Sequence, residues 1–228
     1  MKSTEEIRSH LLAGEINISG RLVDASNATL FGSCTYQGSE MSIIYKPIAG
    51  ERPLWDFEEG NLASREYASY LISELLGWNL IPVTILRDGP FGEGMVQQWI
   101  DIDESIDLAS FFGSDEPQLR KMALFDAVIN NTDRKIGHLL PQESGQLFGC
   151  DHGVTFHHEN KLRTVLWQWA GEKLSDDEVR SLELLLSRIE QSQIMELDSL
   201  ITKIELDALI ARIKELISGR IFPMPSQD

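Results

Sequence analysis

The feature that most constrains this chain is a pair of aspartates eighteen residues apart, just past the middle of the sequence. The first, Asp133, stands in the stretch Asn131 to His138 and is followed by an arginine. The second, Asp151, heads an Asp-His-Gly turn after an apolar segment. The separation leaves room for a loop and a β-hairpin, which can bring a base and a metal ligand to one phosphoryl-transfer site. The rest of the sequence has to supply the other parts of such a site.

The composition indicates a globular protein and limits its partners. With 228 residues, 42% of them hydrophobic, the chain can form a sizeable two-lobed domain around a buried core. Its formal net charge of −16 repels phosphate backbones and anionic lipid surfaces, so we expect neither nucleic acid nor a membrane surface as a partner. No apolar run approaches the length of a membrane span, and no signal pattern opens the chain. We expect a cytoplasmic protein, with its oligomeric state left open.

Two cysteines, Cys34 and Cys150, each lie in an apolar segment with the character of a strand. Neither belongs to a Cys-x-x-Cys pair. The sequence therefore predicts two buried free thiols rather than a disulfide or a cysteine-rich zinc site.

The N-terminal half predicts an antiparallel sheet with one main helix. A short helix over 4–13, capped by Ser3 or Thr4, is expected to stop at Gly14. Alternating patterns separated by turn-like segments predict strands at 16–18, 20–23, 29–31, 41–45, 83–86 and 94–100. The main helix, over 63–76, shows one apolar stripe and ends at Gly77. Residues 48–61, which include Trp55, are predicted to form a polar, irregular insertion.

The C-terminal half predicts mainly helices, at 105–112, 116–130, 175–191 and 194–218. Trp167 and Trp169 alternate in a strand-like run and are expected to pack in the core. The whole pattern predicts an α+β fold with two lobes: an antiparallel-sheet N-terminal lobe over 1–99 and a small helical C-terminal lobe over 100–228. The helices at the C-terminal end are expected to form the core of the second lobe, with a dimerisation face as the alternative.

Phosphoryl transfer needs a cation on the ATP phosphates, carboxylates for a divalent metal and a carboxylate near the accepting hydroxyl. Lys46 ends an apolar strand, and Glu66 follows twenty residues later on the main helix, where it could hold the lysine towards the α- and β-phosphates. Asp133 is the candidate base, or the group that orients the acceptor. Asp151 is the candidate metal ligand, and His138 is the candidate for a second ligand.

Four basic residues near this motif stand out in an acidic chain: Arg134, Lys135, Lys161 and Arg163. They could hold an anionic substrate or the γ-phosphate of ATP. The alternative is that they are solvated charges on loops. Each candidate taken singly also has an ordinary structural explanation, such as a strand-end lysine or a turn aspartate. Their joint occurrence, in the order and on the elements that a phosphoryl-transfer site needs, favours the functional interpretation.

Three motifs resemble those of the phosphatidylinositol 3-/4-kinase-related superfamily, particularly its type II 4-kinases. They are Tyr45-Lys46-Pro47, Asn131-Thr132-Asp133-Arg134 and Asp151-His152-Gly153. HipA-type bacterial kinases share the Lys-Pro feature. The chain is most similar to a group of small bacterial proteins of that superfamily, over roughly residues 20–172, with matching runs at 45–57 and 162–167.

The resemblance implies a protein-kinase-like fold with ATP between the lobes and Mg²⁺ or Mn²⁺ as the metal cofactor. It makes Lys46 the phosphate lysine with Glu66 as its partner, and it makes Asp133 and Arg134 catalytic. Asp151 is then a metal ligand. The hinge is the strand over 96–100, and the positions expected to meet adenine are Gln98, Trp99 and Ile100.

Three departures from the pattern affect these expectations. His138 stands where the superfamily usually has asparagine, and an imidazole suits Mn²⁺ better than Mg²⁺. No Gly-x-Gly-x-x-Gly loop lies between the first strands, so residues 24–29, including Asn27, would have to cover the phosphates. No Ala-Pro-Glu segment follows Asp151, so the platform on which protein kinases bind their protein substrates is expected to be missing.

These observations leave three hypotheses about function. The first is an ATP- and metal-dependent phosphotransferase that acts on a small hydroxylated metabolite or a protein side chain rather than on a lipid. The second is an inactive nucleotide-binding scaffold, a pseudokinase, which His138 and the missing glycine-rich loop motivate. The third is transfer of AMP from ATP bound in another orientation.

Overall fold

The computed structural model describes residues 2–22, 27–52, 54, 56–57, 60–191 and 196–225. It contains the predicted antiparallel sheet, followed by a mainly helical half. The sheet strands are β1 (Glu15–Arg21), β2 (Leu30–Tyr36), β3 (Ser39–Pro47), β4 (Thr84–Gly89) and β5 (Gly92–Gln98), while β6 (Leu139–Pro141) and β7 (Leu147–Gly149) form a separate hairpin. The helices are α1 (Thr4–Ala13), α2 (Leu62–Leu76), α3 (Leu108–Phe112), α4 (Pro117–Ile129), α5 (Asp176–Glu190), α6 (Leu197–Leu200) and α7 (Lys203–Gly219).

The sheet has the order β1-β2-β3-β5-β4, with every neighbouring pair antiparallel. The two separate strands predicted at 16–18 and 20–23 are wrong, since β1 is continuous and has an irregularity in its pairing between Ile18 and Gly20. Such a bulge adds a residue to one strand without ending the ladder, so the glycine is a break in register and not a turn. Of the predicted loop 24–29, residues 24–26 lie outside the described residues.

Helix α1 agrees with its prediction because both of its ends are capped. Ser3 and Glu6 form a reciprocal capping box at the N-terminus, and Gly14 follows the last turn. Arg87 of β4 donates hydrogen bonds from Nη1 to three carbonyl oxygens at the C-terminal end of α1, over 2.6 to 3.0 Å. These carbonyls have no partner within the helix, so the arginine both satisfies them and fixes α1 to the sheet.

Helix α2 lies between the sheet and the C-terminal helices. Eleven of its fifteen residues are buried, so the prediction of a single apolar stripe underestimates its contacts. The side facing the second lobe carries Arg65, whose Nη2 atom lies 2.6 Å from Glu205 of α7, and Tyr67, whose hydroxyl donates to Glu196 over 2.9 Å. At the other end of α2, Arg188 of α5 donates to the carbonyl oxygen of Leu75. The second lobe therefore holds α2 along its length.

The C-terminal half differs from its prediction in three places. The helix expected over 194–218 is divided, because α6 ends at Leu200 and Thr202 then caps α7 in a capping box with Glu205. Residues 194 and 195 lie outside the described residues. The helix expected over 105–112 begins later, at the Asp107 cap. Trp167 and Trp169 belong to no strand; Trp169 is buried as expected, and its indole N–H donates to Asp115 over 2.9 Å.

The cysteines are free, as predicted, with Cys34 buried in β2 and Cys150 half-buried directly after β7. Part of the insertion predicted over 48–61 forms a 3₁₀ turn (Ile48–Gly50), and Trp55 lies outside the described residues. Within the described ranges, none of the helices combines the length and the hydrophobicity needed to cross a lipid bilayer.

Candidate active site

A cavity of about 420 Å³ lies between the sheet and the β6–β7 hairpin. Its lining is mostly apolar, with charged groups at one end. The lining residues are Leu22, Thr29, Ile44, Lys46, Pro82, Gln97, Gln98, Trp99, Ile100, Ile102, Gly137, His138, Leu140, Cys150 and Asp151. A concave apolar chamber with a few convergent polar groups is the usual form of a small-molecule site.

Lys46 supplies the cation of this cavity. It lies opposite Met95 in the β3–β5 ladder, and its ammonium contacts the carboxylate of Glu66 and, at 2.8 Å, Oδ1 of Asp151. Burial alone would lower the pKa of Lys46, but the two carboxylates outweigh it and raise the pKa above its usual range. The lysine is therefore permanently charged and held between the first lobe and the Asp-His-Gly turn.

Glu66 connects three parts of the site. Its Oε1 atom meets Lys46, and its Oε2 atom accepts a hydrogen bond of 3.1 Å from the backbone N–H of His152. Burial raises the pKa of Glu66, while Lys46 and the His152 amide act in the opposite direction. Gly153 lies close to the same helix, since a Cβ atom built there would come within 3.1 Å of the Leu62 side chain. Helix α2 thus packs directly on the turn that carries Asp151.

Asp151 combines an uncommon backbone conformation with a partly exposed, ionised side chain. Its φ angle of 61° is in the left-handed region, which non-glycine residues adopt infrequently. Lys46 lowers its pKa to about 2, with burial acting against that shift. The side chain is 49% exposed, so an ionised carboxylate is available to the cavity while one of its oxygens contacts the lysine.

His138 lies across from Asp151, at the end of a 3₁₀ turn (Ile136–His138). Its Nε2 atom is 3.5 Å from Oδ2 of Asp151, and its buried Nδ1 atom has no hydrogen-bond partner in the described part of the chain. Burial lowers the pKa of His138, so the neutral ring can offer a lone pair. Two ligands of one octahedral ion at about 2.1 Å lie about 3 Å apart, so this pair fits a divalent cation after a small adjustment.

Asp133 occupies the loop after α4. Its backbone N–H donates to Oδ1 of Asn131 over 3.0 Å, and its carboxylate, 44% exposed, pairs with Lys135 at 2.7 Å. The loop is held on both sides, because Thr132 donates to the carbonyl of Val154 and Arg134 donates to that of Arg163. Asp133 does not line the cavity itself, and its half-exposed carboxylate is open to solvent.

Arg134, expected to be catalytic, has a side chain with no exposed surface. Its Nε and Nη2 atoms donate to Asp126 of α4, over 3.0 and 2.8 Å to the closest oxygens, and Nη2 lies 2.6 Å from Nε2 of His152. Asp126 outweighs burial and raises the pKa of Arg134. Any contribution of Arg134 to the site is therefore made by positioning the loop and the turn, since the guanidinium is enclosed in protein.

The other basic residues do not form the patch that the sequence suggested. Lys161 lines a second cavity, where it pairs with Asp56 and Glu159. Arg163 is exposed beside the Asp133 loop. Lys135 contacts the carboxylate of Asp133, the candidate base.

The nucleotide-binding positions expected from the resemblance are partly assembled. Gln98, Trp99 and Ile100 line the cavity. The backbone N–H of Gln98 donates to Val83 and that of Trp99 to Ser42, so neither can meet a base. Asn27 is outside the cavity lining, and its side chain accepts a hydrogen bond from the Arg52 amide. From the described part of the β1–β2 connection, Leu22 and Thr29 line the cavity instead.

A comparison with curated proteins finds a clear relative. The chain is 39% identical to the protein Rv2133c of Mycobacterium tuberculosis over 251 aligned positions, which cover 95% of this chain and 90% of that protein. The chain belongs to the same family as Rv2133c. No protein-family model matches the sequence.

Solved structures share the fold with low identity. Hydra Fam20 with sugar superimposes with a TM-score of 0.62 at 14% identity, over 95% of this chain and 88% of that one. The Golgi casein kinase with Mn and ADP bound gives 0.61 at 13%, over 98% and 77%. The proinflammatory kinase CtkA of Helicobacter pylori gives 0.53 at 13%, over 92% and 94%. The predicted two-lobed, protein-kinase-like fold is confirmed, while the narrower resemblance to phosphatidylinositol 3-/4-kinases stays a prediction.

Two groups important to the site were not anticipated from the sequence. Asp126 anchors the Asp133 loop, and its signal was a lone aspartate within the apolar run of α4. Gln97 lines the cavity from a buried position, which the pattern of β5 alone does not distinguish from its neighbour Gln98.

Proposed function

We propose that this protein is an ATP- and divalent-metal-dependent phosphotransferase. The observation that carries the proposal is that Lys46 contacts both Glu66 and Asp151 at the charged end of an otherwise apolar cavity. An apolar chamber suits a base and sugar, and a fixed cation with a carboxylate beside it suits their phosphates. That a neighbour in fold is a kinase with Mn and ADP bound supports the same assignment.

Each residue has a role in this proposal. Lys46, aligned by Glu66, binds the phosphates. Asp151 and His138 would hold the divalent ion, which supplies charge neutralisation on the phosphates, and the imidazole favours Mn²⁺ over Mg²⁺. Asp133 accepts the proton of the acceptor hydroxyl as that oxygen bonds to the γ-phosphorus and the bond to the ADP oxygen breaks. Lys135, beside Asp133, stabilises the negative charge of the group in transfer.

The acceptor in this proposal is a small hydroxylated metabolite or a protein side chain. The net charge of −16 repels an anionic bilayer, which argues against a lipid headgroup. The exposed position of Asp133, outside the cavity lining, leaves the acceptor side open to solvent.

The second candidate is an ATP-binding protein without transferase activity. It is favoured by one observation, the ion pair between Asp133 and Lys135, which occupies an oxygen of the candidate base. The two candidates share nucleotide binding and differ in turnover.

The test begins with thermal unfolding in the presence of ATP with Mn²⁺ or Mg²⁺. Ligand at a hundred times its Kd stabilises the native state by about 2.7 kcal/mol, which for a chain of this size corresponds to roughly 5–10 °C in Tm. We expect a larger shift with Mn²⁺, and no shift for Asp151→Asn. Asp177→Asn, an exposed aspartate of α5, is the matched control and should behave as wild type. A wild-type protein that no metal–nucleotide pair stabilises would contradict both candidates.

Turnover then separates the candidates. ATP labelled at the γ-phosphate and ATP labelled at the α-phosphate are each incubated with the protein and a panel of hydroxylated metabolites and proteins. Transfer of γ-label that Asp133→Asn abolishes supports the phosphotransferase. Transfer of α-label would replace it with AMP transfer, and binding without any transfer would favour the second candidate.

A further inference from the structure

Gln97 is a buried polar residue of the cavity to which the proposed function gives no role. It lies on β5 opposite Ile44 of β3 and Thr84 of β4, it is 4% exposed, and it lines the cavity. Lys46 stands two residues beyond Ile44, on the same face of β3. Two residues of a strand span about 7 Å, so Gln97 is displaced from the phosphate lysine by about the width of a sugar. It faces the part of the cavity left for the base of a nucleotide.

The orientation of the Gln97 amide is fixed by a chain of hydrogen bonds. The hydroxyl of Thr84 donates to the carbonyl oxygen of Pro82 over 2.7 Å, since a carbonyl can only accept. The single hydroxyl proton is thereby used, so the Thr84 oxygen must accept from Gln97, whose Nε2 lies 2.8 Å away. The amide nitrogen therefore points to Thr84, and the amide oxygen is directed away from it.

That oxygen remains available to a ligand. No donor in the described part of the chain bonds to Oε1 of Gln97. The nearest backbone amides of the hinge are already used, because Gln98 donates to Val83 and Trp99 donates to Ser42, over 2.9 and 3.0 Å. An acceptor that lines a cavity and has no donor from the protein can take a hydrogen bond from a bound molecule.

We propose that Gln97 determines which base this site accepts. Resting on the proposed nucleotide-binding function, the inference is that Oε1 accepts a hydrogen bond from an exocyclic amino group, as adenine carries. A base with a carbonyl at that position, such as hypoxanthine, would place two acceptors against each other. Turning the Gln97 amide over would present its nitrogen to that carbonyl, but the hydrogen bond from the amide nitrogen to Thr84 would then be lost. Thr84 is therefore the positioning residue that makes the choice strict.

The test compares three triphosphates that differ at one position of the purine. They are ATP, with an amino group at C6; purine riboside triphosphate, with hydrogen; and inosine triphosphate, with a carbonyl. Kd values are measured by calorimetry with Mn²⁺. We expect the affinity to fall in that order, with at least about a tenfold difference between ATP and inosine triphosphate.

Three variants separate Gln97 from other sources of selectivity. Gln97→Leu should reduce the ratio between ATP and inosine triphosphate towards one. Thr84→Val should reduce the same ratio chiefly by improving the binding of inosine triphosphate, because the amide is then free to turn. Thr84→Ser keeps the hydroxyl and should keep the ratio. The Tm of each variant without nucleotide establishes whether it is folded. If either Gln97→Leu or Thr84→Val does not fold, the other variant alone tests the proposal.

The outcomes are distinct. A ratio near one in wild type, or a ratio that survives in Gln97→Leu and in Thr84→Val, would overturn the assignment of Gln97 and leave nucleotide binding intact. Absence of binding by all three triphosphates would overturn the proposed function itself, and this inference with it.

Discussion

Arg134 and Asp126 form an ion pair from which solvent is completely excluded, with 2.8 Å between Nη2 and Oδ1 and no exposed surface on either side chain. The carboxylate of Asp126 also accepts hydrogen bonds from the Asn131 amide and the Thr164 hydroxyl, over 2.9 and 3.0 Å. Asp126 thus holds Asn131 before the candidate base, Arg134 after it, and Thr164 in a later segment that packs against the same loop. The position of the candidate base is set by a residue that cannot reach the substrate.

Replacing Asp126 by alanine should therefore be strongly destabilising. Arg134 would be left charged, buried and without its carboxylate, a change that costs about 3–5 kcal/mol in comparable cases. Urea unfolding followed by circular dichroism measures the loss. Glu172→Ala serves as the control, because that residue pairs with Arg120 at the surface, is 54% exposed and should cost less than about 1 kcal/mol. Equal effects of the two changes would contradict this account of the buried pair.

Glu66→Gln should weaken nucleotide binding while the protein stays folded. The glutamine keeps an acceptor for the His152 amide but removes the charge that aligns Lys46, which then has Asp151 alone as an ionic partner. We expect Kd for ATP with Mn²⁺ to rise about tenfold, the worth of one charge-assisted hydrogen bond. Glu74→Gln, two turns later on the same helix, is the matched control. Unchanged affinity in Glu66→Gln would show that α2 does not position the lysine.

The stability of the metal-free protein should decrease as the pH falls below about 6.5. Burial, followed by the nearby Arg134 charge, lowers the pKa of His152 well below its usual value, so the folded protein resists a proton that the unfolded chain binds. Since the unfolded state then binds more protons, the free energy of unfolding falls by up to about 1.4 kcal/mol per pH unit from His152. His138, whose pKa burial also lowers, adds to the slope.

The measurement is urea unfolding in EDTA between pH 7 and 5, for wild type and His152→Asn. The variant should show a shallower dependence on pH in this window because one proton-binding group is missing from the unfolded state. His158→Asn, at an exposed histidine, controls for the loss of an imidazole. Parallel curves for wild type and His152→Asn would mean that His152 is not held neutral by its burial.

Gly94→Ala should destabilise the sheet directly behind Lys46. A Cβ atom at this position would come within 2.4 Å of the Lys46 carbonyl oxygen and 2.7 Å of Cα of Pro47, so backbone atoms would have to move. Overpacking of this kind costs about 1–3 kcal/mol. At Gly20, also in the sheet, the described residues other than its chain neighbours place no atom within 4 Å of the added carbon, so Gly20→Ala should be nearly neutral. Thermal unfolding of the two variants compares them, and a stable Gly94→Ala would be the contrary result.

Much of the fold follows from local signals in the sequence. Helices α1, α2 and α5 begin and end close to their predicted limits because capping residues mark them. The division before α7 was missed although Thr202 and Glu205 carry the capping pattern, since an uninterrupted period of leucine and isoleucine obscured it. The bulge in β1 was missed because the sequence alone does not distinguish a glycine inside a strand from a glycine in a turn.

The candidate site was predictable for those residues whose order along the chain matches the order that a phosphoryl-transfer site requires. Lys46, Glu66, Asp151 and His138 were expected together, and the structure brings them together. A sequence motif does not determine the direction in which a side chain points, however. Arg134 was expected to face the reaction and instead faces Asp126, and this depends on tertiary packing between α4 and the loop. The contact of Gln97 with Thr84 likewise depends on the register of β4 and β5, which no local pattern states.

The contacts that hold α2 against the second lobe have a consequence for synthesis. Glu66 lies on a helix whose supports at Arg65 and Tyr67 come from Glu205 and Glu196, which are 140 and 129 residues further along the chain. While the ribosome is still adding residues 196–219, the strands that carry Lys46 are already complete, but the helix that aligns the lysine lacks these partners. The pairing of Lys46 with Glu66 should thus be among the last parts of the molecule to become ordered, once α7 packs against α2.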